Sequence, residues 1–241
     1  MSSTVPAFVR EDLEGLGFEL PEVLLDRLAS YLALLLETNQ RINLTAIRDA
    51  DEAWRRLIVD SLTPLPGLDD LEEGGSLIDV GSGGGMPGIP LAIARPDLRV
   101  TLLEATGKKA RFLESAVRDL GLDNVAVVCE RAETAGRDAP HRERYDAAVC
   151  RAVGPMNVLL ELCLPLVRVG GRLLAMKGPK AEEELERAGD ALDTLGAGEL
   201  HVFDAYPETF ANDLVIVRVA KDRATPKGYP RRPGVPKREP L

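Results

Sequence analysis

LIDVGSGGGMPGIP, residues 77–90, is the stretch of sequence that decides the fold. An apolar run ends near Asp79, four glycines lie between positions 81 and 85, and residues compatible with a helix begin after Pro87. Glycine lets the backbone pass close to a ligand, and a helix that starts beyond the loop directs its amino terminus at that ligand. In an open parallel sheet such a loop lies at the carboxyl ends of the strands, where ligands bind. The stretch therefore predicts a strand, a ligand-binding loop and a helix.

From this loop onward, short apolar runs alternate with stretches of helical periodicity. The predicted strands occupy residues 76–81, 99–105, 125–130, 145–152, 171–178, 199–206 and 213–220, and the predicted helices occupy residues 87–94, 108–121, 156–167 and 181–196. Strands that alternate with helices of this length indicate right-handed βαβ units and a mostly parallel sheet. No helix separates the last two strands, so we expect them to pair as an antiparallel hairpin at a sheet edge. The predicted fold class is α/β, with N-terminal helices.

The chain before this region reads as helices. Residues 8–38 place apolar side chains at three- and four-residue spacing, and Pro21 can open a helix because its missing N–H is not needed there. A second amphipathic segment runs from Glu52 to Leu62 and stops before Pro64. A turn-rich link follows and marks a boundary. We expect three parts: an N-terminal helical region at 1–70, an α/β domain at 71–220 and a basic, proline-rich tail at 221–241.

Size and composition exclude several classes of protein. The 241 residues have a mass of 26.1 kDa, enough for one large α/β domain with a small helical appendage. Three cysteines and two histidines, without a C-x-x-C pair, are too few for a zinc finger, so we expect no metal site and a reducing cytoplasm. The first residues lack the pattern of a signal peptide, and no apolar run reaches the length of a membrane span, so we expect no membrane partner.

Charge is distributed unevenly along the chain. The formal net charge is −9, but residues 221–241 contain seven Lys or Arg against two acids, so the tail carries +5 and the remaining 220 residues carry −14. A basic tail on an acidic body suits contact with a polyanion, although a solvated end has the same composition. Its prolines and glycines argue against a helix, so we expect the tail to become ordered only on RNA or against the body.

Two cofactors compete for the glycine loop. Gly83, Gly85 and Gly88 satisfy G-x-G-x-x-G, which is typical of dinucleotide binding. Asp79 precedes the loop, however, and a carboxylate there would repel a pyrophosphate, whereas it suits the ammonium and sulfonium groups of S-adenosylmethionine. The order D-x-G-x-G-x-G therefore favours the methyl donor. A dinucleotide and a tight turn without a ligand remain the alternatives at this point.

The ends of the later strands carry further candidates. Glu104 ends the second strand, where a carboxylate can accept hydrogen bonds from both ribose hydroxyls of either cofactor. After the third strand, Glu133 can accept from an adenine amino group, and the Ala132 N–H can face a ring nitrogen. Arg151 ends the fourth strand beside the expected reacting group. It either contacts an anionic or hydrogen-bonding ligand there or forms a salt bridge with Glu104 or Asp79.

Seven stretches of the chain together carry a resemblance to a known family. They are NLTAIRD (43–49), RRLIVDSL (55–62), IDVGSGGGMPGIPLAI (78–93), LLEATGKKARFL (102–113), CRAVGP (150–155), AMKGP (175–179) and TPKGYPRRPG (225–234). These stretches resemble the bacterial 16S ribosomal RNA (guanine-N7)-methyltransferases that modify guanine 527, the small-subunit methyltransferase G family. The resemblance runs from about residue 25 to the end.

The resemblance implies a fold, a cofactor, a partner and a set of site residues. The implied fold is that of class I, Rossmann-like methyltransferases, with a mostly parallel seven-stranded sheet and a terminal antiparallel hairpin. The implied cofactor is S-adenosylmethionine, and the implied partner is 16S ribosomal RNA or the small ribosomal subunit. We expect the cofactor to be bound by Gly81, Met86, Glu104, Ala105, Thr106, Ala132, Glu133 and Arg151, together with Asp79 from the loop pattern. Arg151 is the expected catalytic residue.

This chain departs from the family pattern at one position in the segment 55–62. The family commonly reads R-H-I-x-D-S-L where this chain has Leu57 in place of the histidine, so any role of that imidazole is absent here. Guanine N7 carries an in-plane lone pair, so its methylation needs no general base, and the sequence offers no plausible general base.

Two other functions remain as alternatives. One is a nicotinamide-dependent oxidoreductase, which would need a Tyr-Lys or His-Asp pair. The other is a non-enzymatic nucleotide-sensing module.

Overall fold

A seven-stranded sheet forms the centre of the protein in the computed structural model, which describes residues 5–210 and 212–241. The strands are β1 (Ser76–Val80), β2 (Arg99–Leu103), β3 (Val125–Val128), β4 (Tyr145–Arg151), β5 (Val167–Lys177), β6 (Ala197–Asp204) and β7 (Val215–Lys221). Their order is β3-β2-β1-β4-β5-β7-β6, and β7 runs antiparallel to both of its neighbours while the other adjacent strands pair in parallel. The predicted seven strands and the edge hairpin are confirmed.

Helices cover both faces of the sheet. The helices are α1 (Ala7–Gly15), α2 (Glu22–Asn39), α3 (Ala50–Ala53), α4 (Asp60–Leu62), α5 (Gly88–Ala94), α6 (Gly107–Asp119), α7 (Ala132–Ala135), α8 (Met156–Cys163), α9 (Ala181–Glu186), α10 (Gly189–Leu195) and α11 (Val235–Arg238). Successive strand residues point to opposite faces, so Leu77 of β1 joins a core with α1, α2, α5 and α6, while Ile78 joins a second core with α8 and α10.

Local sequence explains where several helices begin and end. Pro21 is the N-cap of α2, as expected, and α8 ends at Cys163 because Pro165 cannot continue it. The prediction of one helix over 181–196 is wrong, since the segment forms α9 and α10 and the second helix begins at Gly189. Glycine is a weak helix former, which favours a break at that position. The four-residue α7 was not predicted.

The N-terminal helices pack directly on the glycine loop. The Tyr31 hydroxyl of α2 donates a hydrogen bond to the Gly84 carbonyl oxygen at 2.7 Å, and both groups are buried. A Cβ placed on Gly84 would lie 2.9 Å from the Leu35 side chain, so α2 also limits the size of the loop residue. The helices before residue 70 therefore share a core with the sheet and determine the shape of the loop.

Residues 221–241, which we call the strap, lie against the body of the protein. The Lys221 side chain is fully buried, and its Nζ donates to the carbonyl oxygens of Leu164 at 2.8 Å and Leu195 at 3.1 Å. Farther along, Arg231 forms an ion pair of 2.6 Å with Glu161, whose side chain is 0% exposed. Of the two situations expected to order this segment, the structure shows packing against the body.

The expectation that the strap contains no helix is wrong at Val235–Arg238, where α11 forms one turn. Gly234 has a φ of +84°, which lets the chain turn into the helix. Pro236 lies in the first turn, where no intrahelical donor is required. A glycine just before the helix and a proline in its first turn are therefore compatible with a short helix in the strap.

Two kinds of feature are absent from the described ranges 5–210 and 212–241. No helix there is long and apolar enough to cross a membrane. No group of three or more His, Cys, Asp or Glu side chains in those ranges is arranged to hold a metal ion. Residues 1–4, which begin the stretch searched for a signal peptide, lie outside the described residues.

The contact between α2 and the glycine loop predicts a specific loss of stability. Tyr31→Phe leaves the buried Gly84 carbonyl without its donor, so we expect the free energy of unfolding to fall by about 1–2 kcal/mol. Urea unfolding followed by circular dichroism measures the change. Tyr229→Phe is the matched control, because the Tyr229 hydroxyl donates no hydrogen bond to a described residue. Equal stabilities for the Tyr31 variant and wild type would show that this hydrogen bond does not hold the loop.

Candidate functional site

A cavity of about 200 Å³ opens at the carboxyl ends of β1, β2 and β3. Four of the residues expected to bind the cofactor line it, namely Gly81, Ala105, Ala132 and Glu133. The cavity is also lined by Val153, which follows β4, and by Pro236 and Lys237 of the strap. Three strand ends predicted separately from the sequence therefore meet at one concave surface.

The backbone of the glycine loop faces this cavity at Gly81. Gly81 has a φ of +76°, a conformation that residues with a Cβ rarely adopt, and it is exposed. A Cβ at this position would also lie 3.1 Å from the Val153 side chain. A side chain at position 81 would therefore strain the backbone and narrow the space between the loop and the residues that follow β4.

Asp79 lies beneath the loop and holds it to the next helix. Its side chain is fully buried, and Oδ2 accepts a hydrogen bond of 3.0 Å from the Gly88 N–H at the start of α5. A Cβ on Gly88 would lie 2.7 Å from that same oxygen, so only glycine permits the approach. Asp79 Oδ1 is buried and has no hydrogen-bond partner in the described part of the chain. Burial raises the pKa of Asp79 to about 7.

Glu104 joins the glycine loop to the loop that follows β2. Its Oε2 accepts from the Gly83 N–H at 2.9 Å, and its Oε1 accepts from the Thr106 N–H at 2.6 Å. The side chain is buried, with a residue exposure of 6%. A carboxylate has about four lone-pair directions, so these two bonds leave acceptor capacity for a further donor. Glu104 and Thr106 are the two neighbours in sequence of Ala105, which lines the cavity.

Glu133, after β3, is held from two directions. Arg131 donates to its carboxylate at 3.2 and 3.3 Å, and the strap donates the Gly234 N–H to Oε1 at 2.8 Å. Burial favours the protonated acid, but the Gly234 and Arg131 donors outweigh burial and hold the pKa of Glu133 below its ordinary value. The residue that sequence reasoning assigned to adenine is therefore an ionised acceptor on the cavity wall, next to the strap.

Arg151 pairs with an acid that the sequence analysis did not select. Its Nη2 lies 3.6 Å from Oδ2 of Asp60 in α4, so the alternative partners Glu104 and Asp79 are wrong. Asp60 is buried and also accepts from the Tyr206 hydroxyl at 2.5 Å. The remaining nitrogen, Arg151 Nη1, is buried without a hydrogen-bond partner among the described residues. An unpartnered buried donor at a strand tip is suited to a polar ligand atom.

The surroundings of Arg151 have two further unusual features of backbone geometry. Ala152, the next residue, has a φ of +55°, and such strain in a residue with a Cβ clusters at functional sites. Residues Trp54–Val59, immediately before Asp60, form a π-helix, which is also frequent at such sites. Sequence reasoning missed Asp60 as the partner of Arg151 and Tyr206 as the partner of Asp60; the available signal was the acid that follows the apolar residues 57–59 in RRLIVDSL.

Met86 and Lys177 do not line the cavity. Met86 packs among partly buried apolar side chains, with its terminal methyl near Gly84 on the α2 side of the loop. Lys177 Nζ donates to the Gly154 carbonyl oxygen at 2.9 Å and pairs with Glu184 at 2.5 Å. Lys177 therefore supports the turn after β4 through Gly154.

Comparison with known proteins establishes the family. The family model described as "GidB: rRNA small subunit methyltransferase G" matches residues 24–208. The chain belongs to this family. The "Ribosomal RNA small subunit methyltransferase G" of Pelotomaculum thermopropionicum is 45% identical over 242 residues, which cover 99% of this chain and all of the relative. That of Lactobacillus johnsonii is 43% identical over 237 residues, 98% of this chain and 99% of the relative.

Solved structures agree on the fold of this methyltransferase family member. A SAM-dependent O-methyltransferase from Thermotoga maritima matches with a TM-score of 0.54 and 19% identity, over 80% of this chain and 72% of that chain. TYW2 of M. jannaschii, solved in complex with AdoMet, matches with a TM-score of 0.51 and 16% identity, over 72% and 76%. These likenesses show the Rossmann-like fold of S-adenosylmethionine-dependent methyltransferases. The family does not support the oxidoreductase alternative.

The buried Asp79 predicts a pH dependence of stability. Its folded pKa of about 7 lies above the ordinary value near 4, so between these values the folded chain keeps a proton that the unfolded chain has released. The free energy of unfolding must then fall as pH rises through that window. Asp79→Asn removes this titration, so wild type should lose about 2–4 kcal/mol relative to the variant between pH 4 and 7. Urea unfolding at a series of pH values measures the difference.

Asp97→Asn provides a control of opposite sign. The hydrogen bond from Arg95 lowers the pKa of Asp97, so wild type should gain stability relative to this variant as pH rises from acid toward neutral. A difference between wild type and Asp79→Asn that stays constant from pH 4 to 7 would contradict the assigned state of Asp79.

Proposed function

We propose that this protein transfers a methyl group from S-adenosylmethionine to N7 of guanine 527 in 16S ribosomal RNA, in the cytoplasm. One observation carries the proposal beyond the family assignment. Gly81, Ala105 and Glu133 meet around one cavity at the ends of β1, β2 and β3, and Arg151 Nη1, which has no hydrogen-bond partner among the described residues, lies at the tip of strand β4. The guanine-N7 specificity and the position of the nucleotide rest on the resemblance of the sequence motifs.

The residues present fit this cofactor. Asp79 Oδ1 is a buried acceptor without a partner in residues 5–210 and 212–241, and a nearby cation would favour the charged form of this carboxyl group. Gly81 leaves space in front of the loop that a Cβ would fill. S-adenosylmethionine supplies an electrophilic methyl group on a cationic sulfonium. A dinucleotide would bring a pyrophosphate to the same buried carboxylate, which is unfavourable.

Each candidate side chain then has a defined task. Glu104 accepts the ribose hydroxyls with the acceptor capacity that the Gly83 and Thr106 amides leave unused. Glu133 accepts from the adenine amino group, and the Ala132 N–H faces a ring nitrogen. Ala105 and Thr106 form the rim beside the ribose. These tasks are hydrogen bonds to fixed groups, so binding orients the cofactor before RNA arrives.

Arg151 is proposed to act at the substrate side. Its guanidinium is anchored by Asp60, which accepts a hydrogen bond from Tyr206, so Nη1 has a defined direction. Burial lowers the pKa of Arg151 and Asp60 opposes this shift, so the group stays a cation. Guanine N7 attacks with an in-plane lone pair and releases no proton. The side chains therefore need to orient the base and balance its charge, without a general base.

A methyl-transfer assay tests this function. Purified protein is incubated with tritium-labelled S-adenosylmethionine and either small ribosomal subunits or free 16S ribosomal RNA that lack the modification. Borohydride reduction and aniline cleavage, followed by primer extension, then locate any N7-methylguanine. The expected result is one cleavage, at guanine 527. Methyl transfer to another atom or nucleotide would contradict the proposed specificity, and no transfer to either substrate would contradict the proposed activity.

Glu104→Ala is expected to weaken cofactor binding. The loss of charge-assisted hydrogen bonds to two hydroxyls should cost about 1.5–3 kcal/mol of binding free energy, a roughly 10- to 150-fold rise in Kd. Calorimetry with S-adenosylhomocysteine measures it. Glu114→Ala, which changes a glutamate of α6 with no hydrogen bond to a described residue, is the matched control. Unchanged affinity in a folded Glu104 variant would remove Glu104 from the site.

Arg151→Ala is expected to lower methyl transfer at least about tenfold while affinity for S-adenosylhomocysteine changes less, because the side chain acts on the base. Arg172→Ala is the matched control, since it breaks another partly buried arginine–aspartate pair, with Asp70; Arg172 is in β5 and pairs with β4 four residues before Arg151. Single-turnover rates and circular dichroism measure activity and folding. If Arg151→Ala unfolds while the control does not, the ion pair with Asp60 is structural and Arg151 has no separable catalytic role.

A further inference from the structure

The strap is held against the body of the protein by contacts that come before it reaches the cavity. Upstream, Arg142 donates to the carbonyl oxygens of Thr225 at 2.6 Å and Tyr229 at 2.8 Å. The buried pair of Arg231 with Glu161 follows, and it includes a 2.7 Å bond from the Arg231 N–H to the same carboxylate. These bonds fix the chain up to residue 231 independently of the cavity.

Beyond Arg231 the strap turns toward the cavity. The Gly234 N–H donates to Glu133 Oε1 at 2.8 Å, and α11 then places Pro236 and Lys237 on the cavity lining. Pro236 is buried, whereas Lys237 is exposed and forms no ion pair with a described residue. The side of the cavity formed by Ala132 and Glu133 is therefore shared with residues about 100 positions later in the chain.

We propose that residues 233–238 of the strap are part of the cofactor-binding site, where they close the adenine side of the cavity. The inference rests on the proposed function, because it takes the cavity to be the S-adenosylmethionine site. The strap touches Glu133, the residue assigned to adenine, through Gly234. A ligand that contacts Pro236 or Lys237 must stabilise the docked strap, and by linkage the docked strap must strengthen ligand binding by the same factor.

If the strap were a flexible element that contacted only RNA, its removal would leave the affinity for the cofactor unchanged. As a wall of the cavity, its end is required for full affinity, while the remaining strap stays anchored through Lys221 and Arg231. The two roles make opposite predictions for a short truncation.

Two truncations and S-adenosylhomocysteine test the proposal. A chain that ends after Arg232 loses Gly234, Pro236 and Lys237 but keeps the pair of Arg231 with Glu161. We expect its Kd for S-adenosylhomocysteine, measured by calorimetry, to rise at least about tenfold. A chain that ends after Arg238 keeps the lining residues and loses only the end of the strap, where Asn157 Nδ2 donates to the Leu241 carbonyl oxygen at 2.9 Å. This chain is the matched control, and we expect its Kd to change less than about twofold. The double variant Pro236→Gly/Lys237→Gly in the full chain removes the two side chains and should weaken binding in the same direction, even if the truncated chain does not fold.

Limited trypsin digestion provides a readout that is independent of affinity. S-adenosylhomocysteine should slow cleavage after Lys237 and Arg238 in the full chain, and leave cleavage after the exposed Lys227 unchanged. Equal Kd values for the full chain, the double variant and the chain that ends after Arg232 would overturn the strap inference alone. Failure of the full chain to bind S-adenosylhomocysteine would overturn the proposed cofactor, and the inference with it.

Discussion

The hydrogen bond between Asp79 Oδ2 and the Gly88 N–H is the contact on which the site depends. It joins the end of β1 to the start of α5, so the glycine loop between them must take a compact path. The bond requires a glycine at position 88, because a Cβ there would meet the carboxylate. Its acceptor is a buried acid, and burial raises the pKa of Asp79 to about 7. The loop is thus held by a group that the interior disfavours in its charged form.

Elements from distant parts of the sequence stabilise the parts of the site that this bond does not reach. The Tyr31 hydroxyl of α2 holds the glycine loop by donating a hydrogen bond to the Gly84 carbonyl oxygen. Asp60 and Tyr206 come from the N-terminal helices and from the segment after β6, and both act on the tip of β4 through Arg151. The N-terminal helices are therefore structural partners of the catalytic domain, because they supply contacts that the sheet alone lacks.

Charge explains the position of the strap. The first 220 residues carry −14 and the strap carries +5, so the strap is attracted to the body before any polyanion is present. Two ion pairs join the strap to the body: Arg231 pairs with the fully buried Glu161, and Arg223 pairs with Asp193. Lys227 and Arg232 remain exposed without an ion pair to described residues, which leaves them available to RNA phosphates.

The sequence by itself determined the sheet, the glycine loop and the acids at the strand ends. Alternation of apolar runs and helical periods is a local pattern, so seven strands and the edge hairpin could be predicted from it. Glu104 and Glu133 could be predicted because parallel strands bring their carboxyl ends to one edge. Only the tertiary structure decided the partner of Arg151, the break between α9 and α10, the turn of α11 and the contact of the strap with Glu133. The first and the last depend on packing between residues far apart in the chain, and the other two on how single glycines, Gly189 and Gly234, are used.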